Sequence, residues 1–300
     1  LLKAAAGGGG RGMVIAGNAD EVEAGYGRAS AEALAAFNDG TLFMERFVPE
    51  ARHVEVQLIG DGQGKVVHFG ERDCSVQRRY QKLIEEAPSV AMPDKLRAEL
   101  HKAAVDLAAS VDYRNAGTVE FLYDVMRQEV YFIEVNARIQ VEHPVSEMVS
   151  GVDLVQQQLR VAGGQGLSMD QQDVVLSGHA IECRINAEDA SRGFTPVPGT
   201  ISRWAPPEGE GIRLDSHMGS GAAIPPFYDS MVGKLIVHGK DRAEAVSRLT
   251  GALDDFIVEG VPTTIDLHRQ IVRHPDFIAN RFHTRWLEQV MLADPAIAAE

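Results

Sequence analysis

Phe132-Ile133-Glu134-Val135-Asn136-Ala137-Arg138-Ile139-Gln140-Val141-Glu142-His143-Pro144-Val145 is the stretch from which the fold can be read. It opens at the end of a run, Glu129 to Asn136, that reads as a β-strand. The run from Gly117 to Tyr123 reads as its antiparallel partner, and the two flank a loop centred near Arg127. Folding about Arg127 sets Glu120 directly opposite Glu134. Like charges so placed repel. A divalent cation would turn the repulsion into a binding site, because Mg²⁺ prefers carboxylate oxygens completed by phosphates. Asn136, two residues on and facing the same way, adds a ligand or a supporting contact. The other reading is a polar stripe on a half-buried sheet, and the two strands alone leave both open.

Working outward, His53 to Gly70 reads as a second hairpin. Val54, Val56 and Leu58 alternate with Glu55 and Gln57, then Gly60-Asp61-Gly62 turns the chain, giving one buried face and one polar face. Leu96, Leu100, Ala104, Leu107 and Val111 recur at steps of three and four, which predicts an amphipathic helix over Lys95 to Asp112. A short helix is expected after Ser30, through Leu34 and Phe37, ended by Asn38-Asp39-Gly40. Further strands are expected near His179 to Ile185 and Lys234 to His238. A helix follows Asp241, which with Glu244 has the spacing of a capping box. Gly163 to Val175 has no clear period and is the expected boundary between two subdomains, 1–168 and 169–300.

Upstream, Gly7-Gly8-Gly9-Gly10-Arg11-Gly12 must be a loop after a short opening strand that bears Lys3. Unhindered backbone N–H groups can close around phosphates. The run lacks the Gly-Lys-Ser/Thr ending of a Walker A loop, so a plain flexible linker is the alternative.

Composition narrows the class. With 45% hydrophobic and 24% charged residues, 300 residues suffice for one or two sizeable cores. A net charge of −14 excludes general attraction to nucleic acid or anionic membranes, which need a basic face. Cys74 and Cys183 lack metal or redox spacing and read as packing residues in a reducing compartment. No apolar run reaches the roughly 20 residues of a membrane span, and no signal peptide opens the chain, so a cytoplasmic location is expected.

The quoted stretch resembles the signature of biotin carboxylases in the ATP-grasp superfamily. Glu71-Arg72-Asp73-Cys74-Ser75-Val76-Gln77-Arg78-Arg79 and Gly178-His179-Ala180-Ile181-Glu182-Cys183-Arg184-Ile185-Asn186-Ala187-Glu188-Asp189 match two further motifs, in the family's order. The resemblance implies an α+β fold, an ATP-grasp region with a truncated lid over about 1–47 and the family's C-terminal domain over 169–300. It also implies that an N-terminal Rossmann-like domain is absent from these residues. The implied activity is carboxylation of biotin by ATP and bicarbonate through carboxyphosphate, the first half-reaction of acetyl-CoA carboxylase or a related enzyme. ATP and Mg²⁺ or Mn²⁺ are the implied cofactors, and carrier-bound biotin the substrate.

By the same resemblance, Lys3, Gly8, Gly9, Gly10, Glu45, Arg46, Phe47, Val48, His53, Gln77, Tyr80, Leu122 and Ile133 contact ATP, and Glu120, Glu134 and Asn136 hold the metal. Lys82, Arg138, Gln140 and the backbone at Val141 bind bicarbonate, a planar guanidinium suiting a planar oxyanion. Glu142 is the base that deprotonates bicarbonate, and Arg184 stabilises the enolate-like biotin. Tyr80 stands where many members carry His, and its hydroxyl can donate one hydrogen bond to a nucleotide hydroxyl or phosphate. On bland readings Arg184 pairs structurally with Glu182 or Glu188, and His143 is a turn residue. No Ala-Met-Lys-Met motif occurs, so the implied biotin carrier is a separate protein or a portion beyond Glu300. A carboxyltransferase and a second copy of the chain are the other implied partners. The alternatives are a carbamoyl-phosphate-synthase-like enzyme, against which Gln140 to Pro144 and the Arg184 segment argue, and a non-catalytic ATP-binding module.

Overall fold

Residues 1–6 and 12–293 are described by a computed structural model. They divide into two compact units, Leu1–Glu50 with Arg78–Gln81, and Ala51–Gln77 with Lys82–Glu300.

In the first unit, β1 (Leu2–Ala4) lies between β2 (Met13–Val14) and β3 (Leu42–Met44), both antiparallel to it. Helix α1 runs Ala19–Phe37, starting well before the expected Ser30. The Asn18 side chain accepts from the Glu21 N–H at 3.0 Å, and Asp20 and Glu21 in the first turn suit the positive helix end. Gly25 and Gly27 hid this half of the helix from a propensity reading. Gly25 faces β2 so closely that a Cβ there would come within 2.7 Å of the Val14 side chain.

The second unit is built on an eight-stranded sheet. Its strands are β4 (Ala51–Asp61), β5 (Val66–Arg78), β6 (Gln81–Ala87), β7 (Arg114–Asp124), β8 (Glu129–Asn136), β9 (His179–Asn186), β10 (Ile212–Asp215) and β11 (Met231–Gly239). Their order is β10-β11-β9-β6-β5-β4-β7-β8. Helix α2 (Asp94–Ala109) buries Leu100 and Ala104 against Val54, Val56, Leu58, Val119 and Phe121, one face of β4 and β7. Val111 lies past the helix end and is exposed, so the apolar stripe is shorter than its spacing suggested.

On the opposite face of β4 and β7, α4 (Leu154–Ala162) covers Ile59 and Ala116. Helix α3 (His143–Ser150) sets Val145 and Val149 against Ala87, Ala180 and Ile236. Helix α5 (Arg242–Asp255) buries Ala245, Leu249 and Leu253 on Ile181, Cys183 and Leu235. Its cap is half of a box: Asp241 accepts from the Glu244 N–H at 2.9 Å, whereas the Glu244 carboxylate takes the N–H of Lys240.

The expected polar face of the His53 to Gly70 hairpin does not meet solvent. Glu55 and Gln57 are fully buried. Helices α3 and α4 enclose that side, and side chains from other strands satisfy its polar groups.

A second buried charge cluster ties β6, β9 and α5 together. Glu86 accepts from Arg242 Nε at 2.6 Å and contacts His179 Nε2 at 2.8 Å. Burial alone would raise the Glu86 carboxyl, but Arg242 and His179 outweigh it and hold it down to about 2. A depressed carboxyl contributes stability above its ordinary value of 4.5 and loses it as pH falls through about 2. Glu86→Ala should therefore cost about 3–5 kcal/mol at neutral pH, since breaking a buried pair strands the partner charges. Urea denaturation across a pH series should show the difference from the parent shrinking as pH falls below 4.5.

Candidate active site

Strand register lines up Arg72, Glu55, Glu120 and Glu134 as one cross-strand row over β5, β4, β7 and β8. The facing of Glu120 and Glu134 depends on a bulge. Near the turn Asp124 pairs with Glu129 and Phe121 with Phe132, and a one-residue shift then brings Glu120 opposite Glu134. A bulge of this kind re-aims side chains locally. Glu120 is buried, whereas Glu134 on the outermost strand is exposed.

Lys82, from the start of β6, enters this row from the side. Its ammonium reaches Glu55 Oε2 at 2.5 Å, Glu142 Oε1 at 2.6 Å and Glu120 Oε1 at 3.1 Å. Three donors meet three carboxylates, which accounts for every N–H of the ammonium. Behind it, Arg72 donates to Glu55, Gln57, Ser146, Thr118 and Gln140. His53 Nε2 lies 3.2 Å from Glu120 Oε2 and 3.4 Å from Glu55 Oε2. Gln140 links the groups, accepting from Arg72 at 3.0 Å and donating to Glu120 at 2.9 Å.

Glu142 is held from both sides. Opposite Lys82, Arg184 Nη2 on β9 donates to Glu142 Oε2 at 2.9 Å, and Arg184 Nε donates to Glu85 at 2.6 Å. Arg184 pairs with neither Glu182 nor Glu188, because its β-strand direction carries it toward β6. Lys234 on β11 fixes the loop before α3 by donating to the Val141 carbonyl at 2.8 Å. Arg138 is exposed and donates to the Asn136 side chain at 3.3 Å, while Asn136 donates to Glu134 at 3.4 Å.

The electrostatics follow from dense packing of opposite charges. Burial would raise the Glu55 carboxyl, yet Lys82 and Arg72 hold it well below the usual range. Burial would lower the Lys82 ammonium, and Glu55 and its neighbours push it well above its ordinary value. Glu120 is also lowered, with His53 overcoming desolvation. Cys74 and Cys183 are buried and their thiols pushed up by burial, as suits packing residues. Two donor groups of metal type occur among the described residues, His53 with Glu55 and Glu120, and Glu55 with Cys74 and Glu142. Both share carboxylates that Lys82 already neutralises. Glu120, itself paired with Lys82, shares a cross-strand row with the exposed carboxylate of Glu134, and Asn136 lies two residues on; an oxygen set of this kind is the type that suits Mg²⁺.

His53, Lys82, Glu120, Gln140, Glu142 and Arg184 thus form one hydrogen-bonded and ion-paired cluster. Leu122 is the β7 neighbour of both His53 and Tyr131, and Ile133 lies at the bulge. Gln77 is buried and spends its amide on the Cys74 carbonyl at 2.7 Å. Lys3, Glu45, Arg46, Phe47, Val48 and Tyr80 belong to the first unit, where Lys3 lies 3.8 Å from Glu45. Gly8, Gly9 and Gly10 lie outside the described residues. Sequence reasoning missed Glu55, Arg72, Glu85 and Lys234. Glu55 looked like an outward polar position, and only its register partner Arg72 marks it as buried.

Residues 1–170 match the family model described as "Carbamoyl-phosphate synthase L chain, ATP binding domain", and residues 182–289 match "Biotin carboxylase C-terminal domain". Biotin carboxylase 1 of Bacillus subtilis is 48% identical over 96% of this chain and 64% of its own length. The biotin carboxylase of Nostoc sp. is 50% identical over 97% and 65%. The chain belongs to the biotin carboxylase family. A biotin carboxylase of Campylobacter jejuni solved with β,γ-ATP superposes with a TM-score of 0.91 at 48% identity, over 95% of this chain and 64% of that one. The chain therefore spans less than two thirds of the length of these relatives, 64% and 65%. The second match adds a biotin carboxylase domain to the ATP-binding match named for carbamoyl-phosphate synthase.

Replacing Lys82 by Met should leave Glu55, Glu120 and Glu142 facing one another without the ammonium they share, with only Arg72 and Arg184 at the flanks. The expected loss is about 3–5 kcal/mol of unfolding free energy by urea titration. Asn136→Ala, at the edge of the same cluster, should change it by less than about 1 kcal/mol.

Proposed function

We propose that the chain carries the ATP-dependent carboxylation of biotin by bicarbonate. The observation that carries this reading is Glu142 held between Lys82 at 2.6 Å and Arg184 at 2.9 Å. A carboxylate positioned within hydrogen-bond reach of an oxyanion site can take the proton of bicarbonate. Lys82, Arg138, Gln140 and the Val141 backbone are the proposed bicarbonate groups. Every N–H of Lys82 is engaged, so an incoming oxyanion displaces one of its carboxylates. Arg184 is the cation proposed for the biotin ureido oxygen as negative charge develops there, a task for preorganised donors.

Glu120, Glu134 and Asn136 are the proposed Mg²⁺ or Mn²⁺ ligands, and the metal would neutralise phosphate charge during phosphoryl transfer. Lys3, the glycine run, Glu45 to Val48, His53, Gln77, Tyr80, Leu122 and Ile133 are the proposed ATP contacts. The division at about residue 168, a biotin carrier, a carboxyltransferase partner, pairing with a second copy and a cytoplasmic location belong to the same proposal. Among the described residues no helix is long and apolar enough to cross a membrane.

The test is bicarbonate-dependent ADP release with and without free biotin. It is measured on this chain and on a chimera supplying, from the Bacillus subtilis relative, the part of the family's length not spanned here. Biotin-stimulated release in either form supports the reading, and its absence from both overturns it. In the active form, Glu142→Gln and Arg184→Ala should each lower carboxylation by about 100-fold or more with ATP affinity kept. Glu134→Gln should instead raise the metal concentration needed for ATP use. Equal losses of ATP affinity in all three variants would refute the separate roles.

A further inference from the structure

Glu85 on β6 lies directly opposite Glu182 on β9, and both side chains are fully buried. Period two along the strands puts this pair on the same face as Ala87 and Ala180, beneath Val145 and Val149 of α3. Glu85 Oε1 accepts from Arg184, but Glu85 Oε2 and both oxygens of Glu182 have no hydrogen-bond partner. Two ionised carboxylates so placed would repel one another, and an unpartnered buried charge is costly. A proton on one of them removes both penalties. The backbone of Arg184 is fixed separately, its carbonyl accepting from Thr264 Oγ1 at 3.0 Å and contacting His268 Nε2 at 2.8 Å. The direction of its guanidinium is left to Glu85 and Glu142.

We propose that Glu85 and Glu182 form a carboxyl pair bearing a single negative charge, the proton on Glu182 and the charge on Glu85. Glu85 is then the positioning residue that keeps Arg184 aimed when Glu142 exchanges its contacts for substrate. The role for Arg184 rests on the function proposed above; the protonation of the pair does not.

The groups facing the pair are Arg184 on β9, Lys82 on β6, Glu142 before α3 and Lys234 on β11. Lys234 is itself faced by Asp215 on β10 and by His143 of α3. Burial first, and Glu85 second, push Glu182 well above the carboxylate range. Burial also raises Glu85, against the pull of Arg184, to about 7. The Glu85 charge, and with it the anchor on Arg184, therefore strengthens as pH rises through about 7.

Infrared difference spectroscopy between the chain and Glu182→Gln tests the pair directly. A neutral carboxylic acid carbonyl band is expected in the parent above the Glu85 titration near pH 7, where Glu85 is ionised, and should be lost in the variant; a parent without it there overturns the proposal. Gln resembles a neutral Glu, so Glu182→Gln should melt no lower than the parent.

The positioning role is tested in the active form by Glu85→Gln. The KM for biotin should rise at least about 10-fold, the scale of one charge-assisted hydrogen bond. The rise of kcat/KM across neutral pH should flatten, with partial rescue by Glu85→Asp. An unchanged KM and profile refute the positioning role. Should even the chimera show no biotin response, the functional reading fails while the infrared result still decides the pair.

Discussion

The ammonium of Lys82, enclosed by Glu55, Glu120 and Glu142, is the contact on which the rest of the second unit depends. Burying three carboxylates within reach of one another is tolerable only where cations lie among them, because desolvation and mutual repulsion act together. Lys82 supplies one cation, Arg72 a second behind Glu55, and Arg184 a third beyond Glu142. The helices follow from that arrangement. Ser146 on α3 contributes its hydroxyl to Arg72, and Lys234 ties the loop ahead of α3 to β11. The polar half of the sheet is thus cross-linked as firmly as the apolar half is packed.

A sheet with one greasy and one charged face explains how a stable scaffold and a reactive site share the same strands. On β4, Val54, Val56 and Leu58 bind α2, while the residues between them, His53, Glu55 and Gln57, belong to the cluster. Neither set can shift by one residue without exchanging faces. The bulge between Glu120 and Phe121 uses the same rule locally. It leaves the turn-proximal pairing undisturbed and shifts every pair beyond it by one residue, which brings Glu120 and Glu134 into line together with Val119–Val135 and Thr118–Asn136.

Much of this was legible in the sequence, and the parts that were not share a cause. Strands and helices with a clean period, such as β4, α2 and the Glu120–Glu134 hairpin, were visible because neighbouring residues specify them. The start of α1 was hidden by Gly25, whose value lies in contact with Val14 rather than in helix propensity. Glu55 was visible only as a polar position, since burial of a polar face depends on helices supplied some 90 residues later. The motif residues of the site were identified through resemblance, and their meeting point through register. The partner of Arg184 was not legible at all: Glu85 lies 99 residues away, joined by strand pairing that no local pattern encodes.

The same long-range pairing is what makes the site conditional on the whole unit. Glu142 sits between a cation from β6 and a cation from β9, strands that are neighbours only because the sheet continues from the hairpins into the C-terminal strands. Arg184 cannot reach Glu142 unless β9 pairs with β6 in the observed register, and that register also brings Glu182 against Glu85. The cost of two facing carboxylates is therefore coupled to the placement of the guanidinium. Slipping the register by one residue would relieve the carboxylates but would also turn Arg184 to the opposite face, into the apolar layer under α5.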